Sequence, residues 1–298
     1  MNYDCVIKLL IMSIDWKKKV IKSPLRYPGG KGSLYPFFVE TLKLNDTLGG
    51  KYYEPFAGGS GVGLALLSLG VISEMIINDY DYHIYSYWYS LLNENKRLVD
   101  AISAVDVTIS EWHKQKNIYD NPDKFSVFEV GFSTFFLNRC NRSGIISGAG
   151  PIGGFAQNGK WLIDERFNKE GLIERTIEVG KLKKSISIYN QDAIVFLKEH
   201  FEKKPGKSFL YLDPPYVKAG NRLYLNLYKK KDHEELSDYL TTIRFLKWVL
   251  TYDSNDFVRA LYRDLCSVKR FYKNYSLQNK VIGNELIITP KMMLLPEK

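Results

Sequence analysis

Short apolar runs alternate along this chain with longer stretches in which apolar residues recur every three or four positions. Leu34 to Leu44 and Leu64 to Leu69 read as helices, and Tyr52-Tyr53 and Met75-Ile76-Ile77 as short strands. From about Asn93 to Lys184 the alternation stops. Helical stretches at Ser110 to Asn117, Phe125 to Asn138 and Lys169 to Glu178 surround a segment with little regular pattern. Strands and helices then resume: Ser187 to Asn190 (strand), Ala193 to His200 (helix), Phe209 to Leu212 (strand), Asp232 to Ile243 (helix, Asp232 as N-cap) and Trp248 to Tyr252 (strand). Val268 to Tyr275 and Glu285 to Thr289 read as a closing hairpin, and the polar stretch Lys218 to Lys231 as a mobile loop. Strands separated by helices predict an α/β fold. The body is expected at 21–92 and 185–298, an insertion at 93–184, and an N-terminal extension at 1–20.

At 298 residues, 45% hydrophobic and 25% charged, the chain has the composition of a globular protein with a large core. The apolar run Val6 to Met12 is interrupted by Lys8, is too short to span a membrane, and lacks the features of a signal peptide. No membrane association is expected, and Met12 is an alternative start of the folded protein. The formal net charge of +9 favours a polyanionic partner, nucleic acid first, although solvated surface lysines give the same balance. Cys5, Cys140 and Cys266 lie far apart and the four histidines are scattered, so neither a disulfide framework nor a metal site is expected, and a cytoplasmic setting fits.

Four local patterns carry chemistry. Asp213-Pro214-Pro215-Tyr216 ends the strand Phe209 to Leu212. Neither proline has an N–H and each holds φ near about −65°, so their carbonyls can be fixed beside the carboxylate. Such acceptors suit the two N–H donors of an exocyclic amino group, and Tyr216 offers a flat face to a planar ring. Taken alone, the tetrapeptide is equally an ordinary turn with a buried tyrosine. Upstream, Tyr52 to Gly63 runs from a strand through Glu54-Pro55-Phe56-Ala57-Gly58-Gly59-Ser60-Gly61 into a helix, and Asp79 follows the next strand about 20 residues on, where a ribose-binding acid sits in nucleotide-binding βα units. Tyr27-Pro28-Gly29-Gly30-Lys31 before a helix allows a close backbone approach to a ligand with a cation over it. In the irregular segment, Asn138, Arg139, Asn141 and Arg142 precede a run of glycines; Asn and Arg read adenine and guanine edges, and a flexible surface loop is the competing reading.

In this order, from about Pro24 to Thr289, the patterns resemble the Dam-type DNA adenine-N6 methyltransferases, in which the glycine motif precedes the recognition region and Asp-Pro-Pro-Tyr follows it. The resemblance implies a doubly wound, Rossmann-like S-adenosylmethionine-dependent methyltransferase sheet with an inserted, mainly helical target-recognition domain. It implies site-specific methylation of a flipped-out adenine in double-stranded DNA, and leaves room for a cognate restriction endonuclease in a bacterial or phage-like setting. Tyr27, Pro28, Gly29 and Lys31, the motif Glu54 to Gly59, Asp79, Asp192, Ala193 and Asp213 are then expected to bind the cofactor, with Lys31 and Asp79 on its methionine and ribose portions. Asp213, Pro214, Pro215 and Tyr216 are expected to be catalytic, and Asn138, Arg139, Asn141 and Arg142 to contact DNA. Relatives often carry Trp where Tyr27 stands, and the stretch after Asn141 differs from the GATC-reading members, so the resemblance leaves the target sequence open. Methylation of cytosine N4, of RNA or of a protein glutamine, and a non-catalytic DNA-binding role on the same fold, are the alternatives that the motifs admit.

Overall fold

The computed structural model describes residues 19–26, 30–202, 206–216, 228–263, 266–276 and 280–297, with side chains described outside 270–284. The expected N-terminal extension, apart from Lys19 and Val20, the residues Tyr27 to Gly29 and most of the polar loop after Val217 lie outside this range. Within it, seven strands form one sheet: β1 (Lys51–Glu54), β2 (Glu74–Asn78), β3 (Ile186–Tyr189), β4 (Ser208–Leu212), β5 (Trp248–Asp253), β6 (Cys266–Ser276) and β7 (Lys280–Pro290). Their order is β3-β2-β1-β4-β5-β7-β6. The first five are parallel, and β7 enters antiparallel between β5 and β6.

Alternate residues of each strand face opposite sides of a sheet, and here they separate into two cores. Tyr52, Met75, Ile77, Phe209, Tyr211, Val249 and Ile287 pack on one face; Tyr53, Ile76, Leu210, Leu212, Trp248, Leu250, Leu286 and Ile288 pack on the other. A sheet buried on both faces needs strands apolar throughout, which is why the short runs read from sequence carry no polar alternation. The first core is covered by α1 (Tyr35–Leu44) and α2 (Gly61–Ser68), the second by α8 (Ala193–Phe196, continued by a π turn at Leu197–Phe201), α9 (Lys230–Thr242) and α10 (Asp256–Tyr262). The doubly wound α/β sheet follows from this layering.

Between β2 and β3 the chain makes α3 (Tyr82–Asn93), α4 (Asn95–Ala104), α5 (Ile109–Asp120), α6 (Val127–Cys140) and α7 (Lys169–Lys181). Helix α6 is buried nearly all round and opens with a capping box: the Glu129 N–H donates to Ser126 Oγ at 3.3 Å and the Ser126 N–H to Glu129 Oε2 at 2.9 Å. Phe135, Phe136 and Leu137 of α6 join Tyr87, Trp88 and Leu91 of α3 in the same core as the sheet's first face. At α9 the expected cap is corrected. The helix begins one residue after Lys229, and Asp232 stands at its third position, accepting from the Lys229 N–H at 2.6 Å.

Candidate active site

Strand order reverses between β1 and β4, and an open α/β sheet binds ligands in the crevice outside the carboxyl ends of such a pair. Glu54 ends β1 and Asp213 follows β4 at that crevice. A cavity of about 620 Å³ opens there, within the ~300–1,000 Å³ usual for small-molecule sites, and its walls include Lys31, Glu54, Phe56, Gly58, Asp79 and Asp213.

The turn after β1 is shaped by backbone. Gly58 sits at φ 44 and Ser60 at φ 39, the left-handed region that a side chain disfavours. The Ala57 N–H donates to Asn78 O at 2.9 Å and the Trp88 indole N–H to Gly58 O at 2.8 Å, which ties the turn to β2 and α3. Asp79 locks it from the other side, accepting from the Gly58 N–H at 2.8 Å and the Asp81 N–H at 3.0 Å. The two N-terminal loops meet at glycines: a Cβ on Gly61 would lie 3.1 Å from Gly32 Cα.

At the end of β4 the Asp213 carboxylate is held by one oxygen. Its Oδ1 accepts from Thr251 Oγ1 at 2.7 Å and from the Tyr216 hydroxyl at 3.3 Å, and lies 3.4 Å from Lys31 Nζ. Thr251 is positioned in turn by Tyr211, their hydroxyls 3.0 Å apart. No protein donor among the described residues reaches Oδ2. Lys31, 4% exposed, also lies 3.2 Å from Glu285 Oε1 and donates to the Tyr216 hydroxyl. The arrangement presents one carboxylate oxygen, on a fixed carboxylate, to whatever enters beside Pro214.

The carboxylates of the cavity are deprived of water. Burial, with the nearby Asp213 charge, pushes the Glu54 carboxyl up to about 8, although the Ser60 and Tyr52 hydroxyls donate to it. Burial and the neighbouring Asp81 push Asp79 up to about 7. A carboxyl that binds its proton more tightly when folded contributes stability below its unfolded pKa, and that contribution is lost as pH rises through the folded value. For Glu54 the window runs from 4.5 to about 8. The cofactor-free protein is therefore expected to melt at progressively lower temperature from pH 5 to pH 9. Glu54→Gln should flatten that slope; equal slopes in the two proteins would remove Glu54 as the titrating group.

Of the residues expected from sequence, Lys31, Glu54, Phe56, Ala57, Gly58, Gly59, Asp79 and Asp213 meet around the cavity, together with Pro215. Lys31 is drawn toward Asp213, Tyr216 and Glu285 as well as lining the cavity. Pro55 gives its carbonyl to Asn78 Nδ2 at 3.1 Å, and Pro214 is buried beneath Asp213. Asp192 is outside the cavity wall; its carboxylate caps α8, accepting from the Ile194 and Val195 N–H groups at 2.9 and 3.1 Å, with Ala193 buried behind it. Tyr27, Pro28 and Gly29 lie outside the described residues.

Three of the expected DNA contacts lie in the interior. Asn138 is fully buried; it accepts from the Arg26 N–H at 2.7 Å and donates to Arg26 O and Gly144 O at 2.9 and 3.0 Å. Arg139 is 8% exposed and donates to Arg166 O and Pro24 O. Asn141 is fully buried and accepts from the Trp112 indole at 2.7 Å while donating to Ile145 O and Ile146 O. Their polar atoms are engaged with the protein, so no base edge reaches them in this conformation. Arg142 is exposed. Sequence reasoning missed Thr251, Tyr211 and Glu285, whose roles depend on strand pairing: Leu212 opposite Leu250 sets Thr251 beside Asp213, and Asp253 opposite Glu285 brings β7 to the same rim.

Among the described residues no cluster of His, Cys, Asp and Glu has the makings of a metal site, and no helix is long and apolar enough to cross a membrane. The family model of the D12 class N6 adenine-specific DNA methyltransferases matches residues 27–277. No curated protein matches the chain. Among solved structures it is similar to an S-adenosylmethionine-dependent methyltransferase from Agrobacterium tumefaciens (10% identity, 85% of this chain and 61% of that one, TM-score 0.37). It is also similar to the rRNA methyltransferase aviRa from Streptomyces viridochromogenes (12% identity, 88% and 86%, TM-score 0.34). A third likeness is to the methyltransferase subunit of a type I restriction-modification system from Streptococcus thermophilus (10% identity, 92% and 46%, TM-score 0.35). The chain thus spans about three fifths of the first of these proteins and under half of the third.

Proposed function

Since the chain belongs to the D12 class N6 adenine-specific DNA methyltransferase family, we propose that Asp213 and Pro214 accept hydrogen bonds from the two N6–H groups of an adenine flipped from duplex DNA while a methyl group is delivered from the cavity between β1 and β4. The observation that carries this assignment is the Asp213 carboxylate, fixed through Oδ1 by Thr251 and Tyr216 with Oδ2 left to an incoming donor. S-adenosylmethionine, when bound, supplies an electrophilic methyl on a sulfonium.

The residues present fit that group. Glycines at the turn let backbone approach it closely, the carboxylates of Glu54 and Asp79 suit a sulfonium and ribose hydroxyls, and the cations of Lys22, Arg26 and Lys31 on the same wall suit a carboxylate. Phe56 offers an aromatic face to a sulfonium. Flipping the base costs a few kcal/mol, and Tyr216 is the face that receives it. With both N6 hydrogens accepted, by Asp213 Oδ2 and the Pro214 carbonyl, the amino nitrogen is drawn out of plane and its lone pair is aimed at the methyl. In a direct displacement the amino nitrogen would form its bond to the methyl as the sulfonium's bond to it breaks and the neutral thioether leaves, one N6 proton would pass to Asp213 Oδ2, and the protein would contribute position and charge. Duplex DNA and labelled cofactor test this: label should enter duplex adenine, and transfer to RNA alone would overturn it.

We assign target choice to the helical region 93–184, with Arg142 as its base-reading candidate. Arg142→Ala is expected to relax discrimination at one position by ~1–3 kcal/mol, as loss of a bidentate base contact does; an unchanged target profile across a duplex library would return Arg142 to the solvated surface. On this reading the protein acts on DNA in the cytoplasm, and its genetic partner is an endonuclease cutting the same unmodified sequence.

A further inference from the structure

We infer that Glu285, on the antiparallel strand β7, is a positioning residue for the transfer reaction: it holds the Lys31 ammonium away from full neutralisation of Asp213. The inference rests on Asp213 being the amino-group acceptor proposed above.

The geometry is that of two carboxylates sharing one buried cation. Lys31 Nζ lies 3.2 Å from Glu285 Oε1 and 3.4 Å from Asp213 Oδ1, with the Lys31 side chain 3% and that of Glu285 2% exposed. A carboxylate buried to this degree without a role is rare, because leaving water is costly unless the charge is paired. Glu285 comes from a strand that contributes no residue to the wall of the cavity. Its second contact reaches the same cluster. The Tyr216 hydroxyl stands 3.2 Å from Glu285 Oε1 and 3.3 Å from Asp213 Oδ1 while accepting from Lys31. A phenol has one proton to give, so Glu285 and Asp213 compete for that proton as well as for the lysine.

The consequence is electrostatic. Without Glu285, the ammonium and the phenolic proton would both turn to Asp213 Oδ1. The carboxylate would become a weaker acceptor at Oδ2, the oxygen left for the target amino group. With Glu285 present, the Lys31 ammonium and the Tyr216 proton are drawn toward both carboxylates. Among the described residues, Asp213 Oδ1 is also held by the neutral Thr251 Oγ1, with Tyr211 behind it. Glu54 and Asp79 lie farther along the cavity wall and act on Asp213 in the same direction before and after the change.

The test uses the full chain with four variants: Glu285→Gln, Glu285→Asp, Lys31→Met and the double variant Lys31→Met/Glu285→Gln. Glu285→Gln is expected to lower kcat at least tenfold and to leave KM for duplex within threefold. Glu285→Asp should recover part of the rate. In thermal melts of the cofactor-free proteins, the double variant should fall by clearly less than the sum of the two single variants, since the two residues are in direct contact and the double change removes once the interaction that each single change already breaks. Normal kcat in Glu285→Gln, or a rate loss that Glu285→Asp leaves unrecovered together with additive melting shifts, would overturn the inference. An Asp213→Ala control separates the two claims. If it is inactive while Glu285→Gln is normal, only the role of Glu285 falls; if it remains active, the acceptor assignment itself falls.

Discussion

Asp213→Ala is expected to lower methyl transfer on the order of 10³-fold, with affinity for duplex DNA and for S-adenosylmethionine within a few-fold of the parent. Asp213 Oδ2 is the side-chain acceptor that the cluster leaves for an incoming amino group, and Thr251 and Tyr216 fix its direction from the other oxygen. Removing it leaves the Pro214 carbonyl as a single acceptor and releases Lys31 into the space. Thr251 and the Tyr216 hydroxyl lose a partner, but both keep others, in Tyr211 and Glu285. The glycine turn, Glu54 and Asp79 belong to β1 and β2 and are untouched, so cofactor binding should persist. Steady-state kinetics with calorimetry checks both halves. Turnover within tenfold of the parent would remove Asp213 from the chemistry, and lost cofactor binding would make it part of the cofactor site.

Asn138→Ala is expected to destabilise the protein by ~2–4 kcal/mol and to leave the recognised DNA sequence unchanged. The Asn138 side chain satisfies the Arg26 N–H, the Arg26 carbonyl and the Gly144 carbonyl, all within the interior. Alanine would leave three backbone groups without partners and detach the segment before Lys31 from α6. In a chain of this size each kcal/mol lowers the melting midpoint by about 2–4 °C, so the loss is measurable by thermal unfolding. Relaxed target choice with an unchanged melting midpoint would instead restore Asn138 to the DNA contacts expected from sequence.

The contrast between these two residues shows what the sequence carried. Asp213 was legible because its neighbours constrain it: an apolar run, two prolines and an aromatic leave few structures other than a strand ending in a fixed acceptor. The same holds for the turn from Glu54 to Gly61, where glycines precede a helix and an acid follows at the right distance. The burial of Asn138 and Arg139 was not legible, because residue type does not give exposure. Both sit on α6, whose apolar residues run around its whole circumference, and in such a helix polar side chains are also interior and must be satisfied by backbone. Asp232 was misplaced by three residues because in a capping box the acid stands at the third helical position, and a basic Lys229 before the helix gives no cap signal.

Thr251 and Glu285 were illegible for a different reason. Each lies in a run that reads as a strand, yet its function depends on which strand lies beside it and in what register. Threonine in β5 meets Asp213 because β5 pairs with β4, and Glu285 reaches Lys31 because β7 inserts antiparallel next to β5. Neither pairing has a local signature. The change of pattern at 93–184 was legible, but α6 within it shares the core of the sheet with α3 before it, a long-range fact that periodicity cannot contain.

The most direct test of the central claim is nucleoside and site-resolved analysis of DNA from cells expressing this protein, beside cells expressing Asp213→Ala at equal level. The account predicts N6-methyladenine confined to one short sequence and absent from the Asp213→Ala cells. N4-methylcytosine in its place, or the same N6-methyladenine in both, would contradict it.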